Sequence, residues 1–177
     1  MRITTQPIGA GRLQFGERVR ARSTGAVALL IVSAALPAIG QPVDCADIAS
    51  NVAMSAALGL RVVAAAPVAR DTGVTECNWV RTADTPPTVS VRHFDRRAIL
   101  ANPVARTPES YFELLVSAGE EVAGRRREPL PGGGKAVLIP GNGQWLVVVQ
   151  RPDGVLRVVV NLPARATALA VARAVGG

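Results

Sequence analysis

Residues 135–162 read KAVLIPGNGQWLVVVQRPDGVLRVVVNL. Three apolar runs, Lys135 to Ile139, Trp145 to Gln150 and Val155 to Leu162, are parted by Gly141-Asn142-Gly143 and by Pro152-Asp153-Gly154. These joints carry the residues that tight hairpin turns require, so the stretch predicts a β-meander. In the third run Leu156, Val158, Val160 and Leu162 fall on one side, while Arg157 and Asn161 fall on the other, because strand side chains alternate. That pattern predicts one packed face and one wet face.

Working outward, Ala164 to Val175 is an Ala-rich helix with Ala168, Val171, Ala172 and Val175 on its apolar side. Upstream, Thr107 is an N-cap, Pro108 suits a first turn, Glu109 suits the N-terminal dipole and Gly124 ends the helix. Tyr111, Leu114, Leu115, Ala118 and Val122 recur at helical spacing and form its predicted stripe. Glu76 to Arg81 and Thr88 to Phe94 read as strands around a turn at Ala83 to Pro87, and Leu60 to Ala65 as a short strand before a loop at Pro67 to Gly73. A first helix runs from Cys45 to Leu58, capped by Asp44 and Gly59, with Ile48, Val52, Ala56 and Leu58 on its apolar side.

The order is helix, strands, helix, strands, helix. It predicts an α+β domain whose antiparallel sheet is covered on one face by helices. The helix-then-strands unit occurs twice, which raises a diverged duplication as one reading.

Residues 1–40 read as a secretory signal. Arg12, Arg18, Arg20 and Arg22 precede an apolar run centred on Ala26 to Val32, then Pro37 and the small-x-small site Ala38-Ile39-Gly40. Cleavage is expected before Gln41, leaving one domain over 41–177. The run is short for a bilayer span of about 20 predominantly apolar residues, so no stable membrane insertion is expected after cleavage. An uncleaved anchor is the competing reading. Cys45 follows Pro42-Val43-Asp44, which is no lipid-attachment pattern. Residues 41–177 hold 15 basic and 12 acidic residues, a net +3 against +7 for the whole chain. That balance carries no footprint of a nucleic-acid partner.

Cys45 and Cys77 are the two cysteines. In an exported chain a disulfide between them is expected, stabilising by about 3–4 kcal/mol in the chain-entropy model. A metal site is not expected, with one histidine and no Cys-x-x-Cys. No cofactor motif stands out either: Pro131-Gly132-Gly133-Gly134-Lys135-Ala136 resembles a phosphate loop, but Pro129 and Ala136 occupy positions that need Gly and Ser/Thr.

Arg92, His93, Asp95, Arg96 and Arg97 form the densest group of functional side chains. They are a candidate anion-binding or pH-sensitive patch, or a strand end leaving the sheet with internal salt bridges. Ser90 and His93 face opposite sides of a regular strand, and no nucleophile elbow exists, so no catalytic residue is assigned. Arg125, Arg126 and Arg127 follow a helix end, where cations meet the dipole favourably. With Trp145 they are candidate partner anchors.

Cys45, the helix ending Ala56-Ala57-Leu58-Gly59-Leu60, Cys77-Asn78-Trp79 before a hairpin and Pro131-Gly132 before the meander resemble a family of small exported envelope proteins, best known as actinobacterial lipoproteins of unknown function. The resemblance covers most of residues 44–176 and implies an envelope location, the disulfide and a structural Trp79, but no reaction. The sequence departs from that family in lacking a lipid-attachment cysteine after the signal. The leading expectation is a periplasmic or secreted non-catalytic domain that binds an envelope protein or small ligand. The alternatives are a small hydrolase relying on His93 and an inhibitor of a secreted enzyme.

Overall fold

The computed structural model describes residues 42–130 and 135–176. The expected signal at 1–40 and the Gly-rich stretch 131–134 lie outside the described residues. The elements run α1 (Cys45–Ile48), α2 (Asn51–Leu58), β1 (Val63–Ala64), β2 (Val68–Asp71), β3 (Val74–Val80), β4 (Val89–Asp95), α3 (Arg96–Ala101), α4 (Pro108–Ala123), β5 (Glu128–Pro129), β6 (Ala136–Pro140), β7 (Trp145–Arg151), β8 (Gly154–Val160) and α5 (Arg165–Gly176). Among the described residues the strands form one eight-stranded antiparallel sheet, ordered β1-β3-β4-β8-β7-β6-β5, with β2 also paired to β3. The domain is α+β.

Local chemistry accounts for most element ends. Thr107 and Ser110 form a reciprocal capping box at α4, and Gly124 ends it at φ 62°. The expected single helix over 45–58 is two. Asp44 caps α1 by accepting from the Ala46 amide, Ala49 adopts extended backbone, and Ser50 then caps α2 by accepting from the Ala53 amide. The break resets the helical phase. Ile48 and Leu58 are buried as expected, but Met54 is buried while Val52 is 80% exposed and Ala56 is exposed, which corrects that part of the predicted apolar side. Residues 68–71, expected as loop, pair with β3 as β2, and α3 was not foreseen.

The sheet is covered on both faces, a correction to the one-sided expectation. Along β7, Trp145, Val147 and Val149 join a core with Met54 and Leu58 of α2 and with Ala168, Val171, Ala172 and Val175 of α5. Val148, with Val137, Ile139 and Val155, joins a second core with Ile99 of α3 and Tyr111, Phe112 and Val116 of α4. The β8 pattern conceals this, because Val155 is a small apolar residue on the side that Arg157 marks as wet. The two helix-then-strands units thus place α2 and α4 on opposite faces.

The buried face of α4 is also turned from the prediction. Tyr111, Phe112, Val116 and Gly119 are buried, whereas Leu114 is 38% and Val122 90% exposed. Gly119 sets this rotation: a Cβ there would run into Leu146 and lie 2.8 Å from Ile139 Cδ1. At Gly119 the helix comes close to the sheet because no side chain intervenes.

Candidate functional site

Strand alternation divides the Arg92–Arg97 group instead of gathering it. His93 is 3% exposed and packs on the α2/α5 side, where its Nε2 lies 3.6 Å from Asp153 Oδ2. Neither ring nitrogen has a hydrogen-bond partner among the described residues. Burial holds the His93 pKa below its usual value against the opposing pull of Asp153, so the ring is held neutral. Asp95 caps α3, accepting from the Arg97 and Ala98 amides at 2.8 and 3.1 Å, and pairs with the Arg97 side chain at 2.7 Å. Burial alone would raise its pKa, but these bonds hold it below the usual value. Arg96 is exposed beside a cleft with Asp153 and Arg106.

The other anticipated residues also have defined places. Cys45 and Cys77 are joined, with Cα atoms 5.6 Å apart, and both are buried. The bond ties α1 to the middle of β3, beside the fully buried Trp79. Trp145 is 9% exposed, and its Nε1 donates to the Pro163 carbonyl at 2.9 Å, so it serves the core and is not a surface anchor. Arg127 pairs with Glu113 at 2.8 Å and approaches Glu120 at 3.7 Å. Arg125 and Arg126 are exposed past the end of α4.

The face that Arg92 does reach carries the more informative arrangement. Glu76, Arg92, Arg157 and Val148 are consecutive cross-strand neighbours over β3, β4, β8 and β7. Glu76 accepts from Arg70 Nε and Nη2 at 3.0 and 2.8 Å, from Arg92 Nε at 3.0 Å and from Asn78 Nδ2 at 3.1 Å. Its carboxyl is lowered to about 2, chiefly by the Arg70 hydrogen bonds acting against burial. Glu76 is therefore fully engaged. Arg157 is half-buried with its guanidinium open to solvent and, among the described residues, makes no ion pair or side-chain hydrogen bond. Burial first, and Arg92 second, push its pKa down, yet a guanidinium stays charged.

Arg157 lies in a groove. α4 covers β6 and β7 and reaches β8, leaving a cavity of about 270 Å³ along its flank. Leu115, Ala118 and Val122 form the helical wall, Ile139 and Leu146 the wall on the sheet, and Arg157 with Val159 the floor. Asn142 and Gln144 from the β6–β7 turn stand at one end. Such an enclosure, mostly apolar with one convergent charged group, has the make-up of a small-molecule site.

Sequence reading missed this site because Arg157 looked like an ordinary wet-face residue. A signal existed: Leu115, Ala118 and Val122 belong to the predicted stripe, yet the core uses Phe112, Val116 and Gly119. The apolar surface of α4 is wider than one sheet contact consumes.

Among the described residues no helix is long and apolar enough to cross a membrane, and no group of three or more His, Cys, Asp or Glu is placed to hold a metal ion. Comparison of the chain with protein families, with curated proteins and with solved structures finds no match.

Proposed function

We propose that this chain is an exported, non-catalytic envelope domain that binds a small ligand in the groove between α4 and β8. The observation that carries this reading is a half-buried Arg157, with no side-chain partner among the described residues, at the floor of a mostly apolar groove. Its guanidinium donors are taken by no side chain of the described residues and face the groove, so a ligand acceptor seated there can take them.

Export is proposed from the leader at 1–40. The Cys45–Cys77 disulfide is compatible with an oxidising compartment. Kinship with the small envelope proteins is part of the same proposal and rests on the short motifs around Cys45, Leu58 and Cys77. The hydrolase reading has less support, since His93 is buried and faces away from Ser90. The inhibitor reading loses Trp145 as an anchor and rests on Arg125 to Arg127 alone.

Native mass spectrometry of protein recovered from the exported fraction tests the proposal. A bound small-molecule mass is expected, absent from an Ala118→Trp variant whose indole fills the groove. No bound mass in either protein, or an equal bound mass in both, would contradict it.

A further inference from the structure

We infer that the groove takes a small amphiphile bearing one carboxylate on an apolar body, with Arg157 receiving the carboxylate. This rests on the binding-domain reading above and names the chemistry of its ligand.

The apolar part follows from the walls. Leu115, Ala118 and Val122 face Leu146 across the groove, and Val122 at its lip is 90% exposed. Partly exposed apolar residues gathered round one concavity mark a surface that gains from being covered. The cavity of about 270 Å³ falls just below the range of ligand pockets for drug-sized molecules, about 300 to 1,000 Å³. It suits a small molecule better than the helix of a partner protein.

The anionic part follows from the charges. Arg70, Arg92 and Arg157 share this face with a single carboxylate, Glu76, and Arg70 and Arg92 already occupy it. The cross-strand neighbours of Arg157 are Arg92 and Val148, so no carboxylate of the chain stands opposite it. These three guanidiniums and one carboxylate leave a net positive charge on the strands, part of which a ligand carboxylate offsets.

A carboxylate fits better than a phosphate dianion. The planar guanidinium can donate to either anion in a two-bond fork, so the helical wall makes the difference. The helical wall runs from Leu115 to Ala123 and includes the last turn of α4, where the helix dipole is negative and repels a dianion more than a monoanion. Phosphate sites favour the opposite helix end.

Isothermal titration with octanoate, 1-octanol and inorganic phosphate tests the inference. Wild type should bind octanoate one to one and at least about tenfold tighter than octanol, the range of a charge-assisted hydrogen bond, with no binding of phosphate. Arg157→Met should lose about tenfold or more for octanoate and leave octanol within about twofold. Ala118→Trp should lose both, and circular dichroism melts of both variants establish that they are folded. Equal affinity for octanoate and octanol, both lost in Ala118→Trp, overturns the carboxylate assignment and leaves the groove reading standing. Octanoate binding unchanged in Arg157→Met, or phosphate binding more tightly than octanoate, also overturns the assignment. Failure of both amphiphiles to bind, or binding indifferent to Ala118→Trp, overturns the groove reading as well.

Discussion

Arg92 on β4 and Arg157 on β8 stand directly opposite each other on one face of adjacent antiparallel strands. Arg92 has the Glu76 carboxylate at 3.0 Å, and Arg157 has no such partner among the described residues. Like charges in that position destabilise a sheet by up to about 1 kcal/mol. Ligand-free Arg157→Met should therefore be more stable than wild type by about 0.5–1 kcal/mol, read as a rise in the urea midpoint with an unchanged slope. A loss of stability would show that Arg157 has a structural role in the empty domain.

Glu76 holds together the rest of that row. Glu76→Gln should cost about 1–3 kcal/mol at pH 7, toward the lower end because Arg70 and Arg92 are about half exposed. The folded carboxyl titrates at about 2, below its ordinary 4.5. Its contribution is thus fully present above about pH 4.5 and is lost as pH falls toward 2. Denaturation curves of both proteins should be well separated at pH 7 and converge as the pH approaches 2.

His93 acts in a higher pH window. Its folded pKa lies below its ordinary 6.5 because burial disfavours the charged ring. The unfolded chain then binds the proton more readily, so stability falls as pH drops below about 6.5 and on toward the folded pKa. A His93→Leu variant should lack that part of the acid dependence between pH 7 and 5. An identical pH profile would show that the ring is not held neutral in the fold.

The Cys45–Cys77 bond spans a sequence separation of 32. Replacing both cysteines by alanine should cost about 3–4 kcal/mol, mainly by freeing the unfolded chain. Ellman titration of the native protein should find no free thiol, and the double variant should melt well below wild type. Equal melting temperatures would place the staple outside the stabilising set.

The meander, the caps of α4 and the buried side of α5 were legible because each depends on neighbours in sequence. Gly141 to Gly143 and Pro152 to Gly154 dictate turns wherever they stand, and Ala168, Val171, Ala172 and Val175 keep one helical period. The break at Ala49 was not legible, since Ser50 reads equally well as helix interior or new cap. The second covered face escaped because Val148 and Val155 alternate with residues that already fill a strand's packed side. The rotation of α4 was hidden for a related reason: residues 111–122 hold two overlapping apolar stripes, and the close approach at Gly119 chooses between them. That choice gives Phe112 and Val116 to the core, keeps Leu115 at its edge and leaves Ala118 and Val122 to the groove. Arg157 becomes distinctive only when tertiary structure seats it beneath them.

The most direct measurement of the central claim is a methyl and guanidinium NMR titration of the folded protein with octanoate. Saturable shifts should centre on the methyls of Leu115, Leu146 and Val159 and on the Arg157 Nε, with little change near Cys77 or His93. Saturable shifts centred on the His93–Asp153 region, or none at all, would contradict the account.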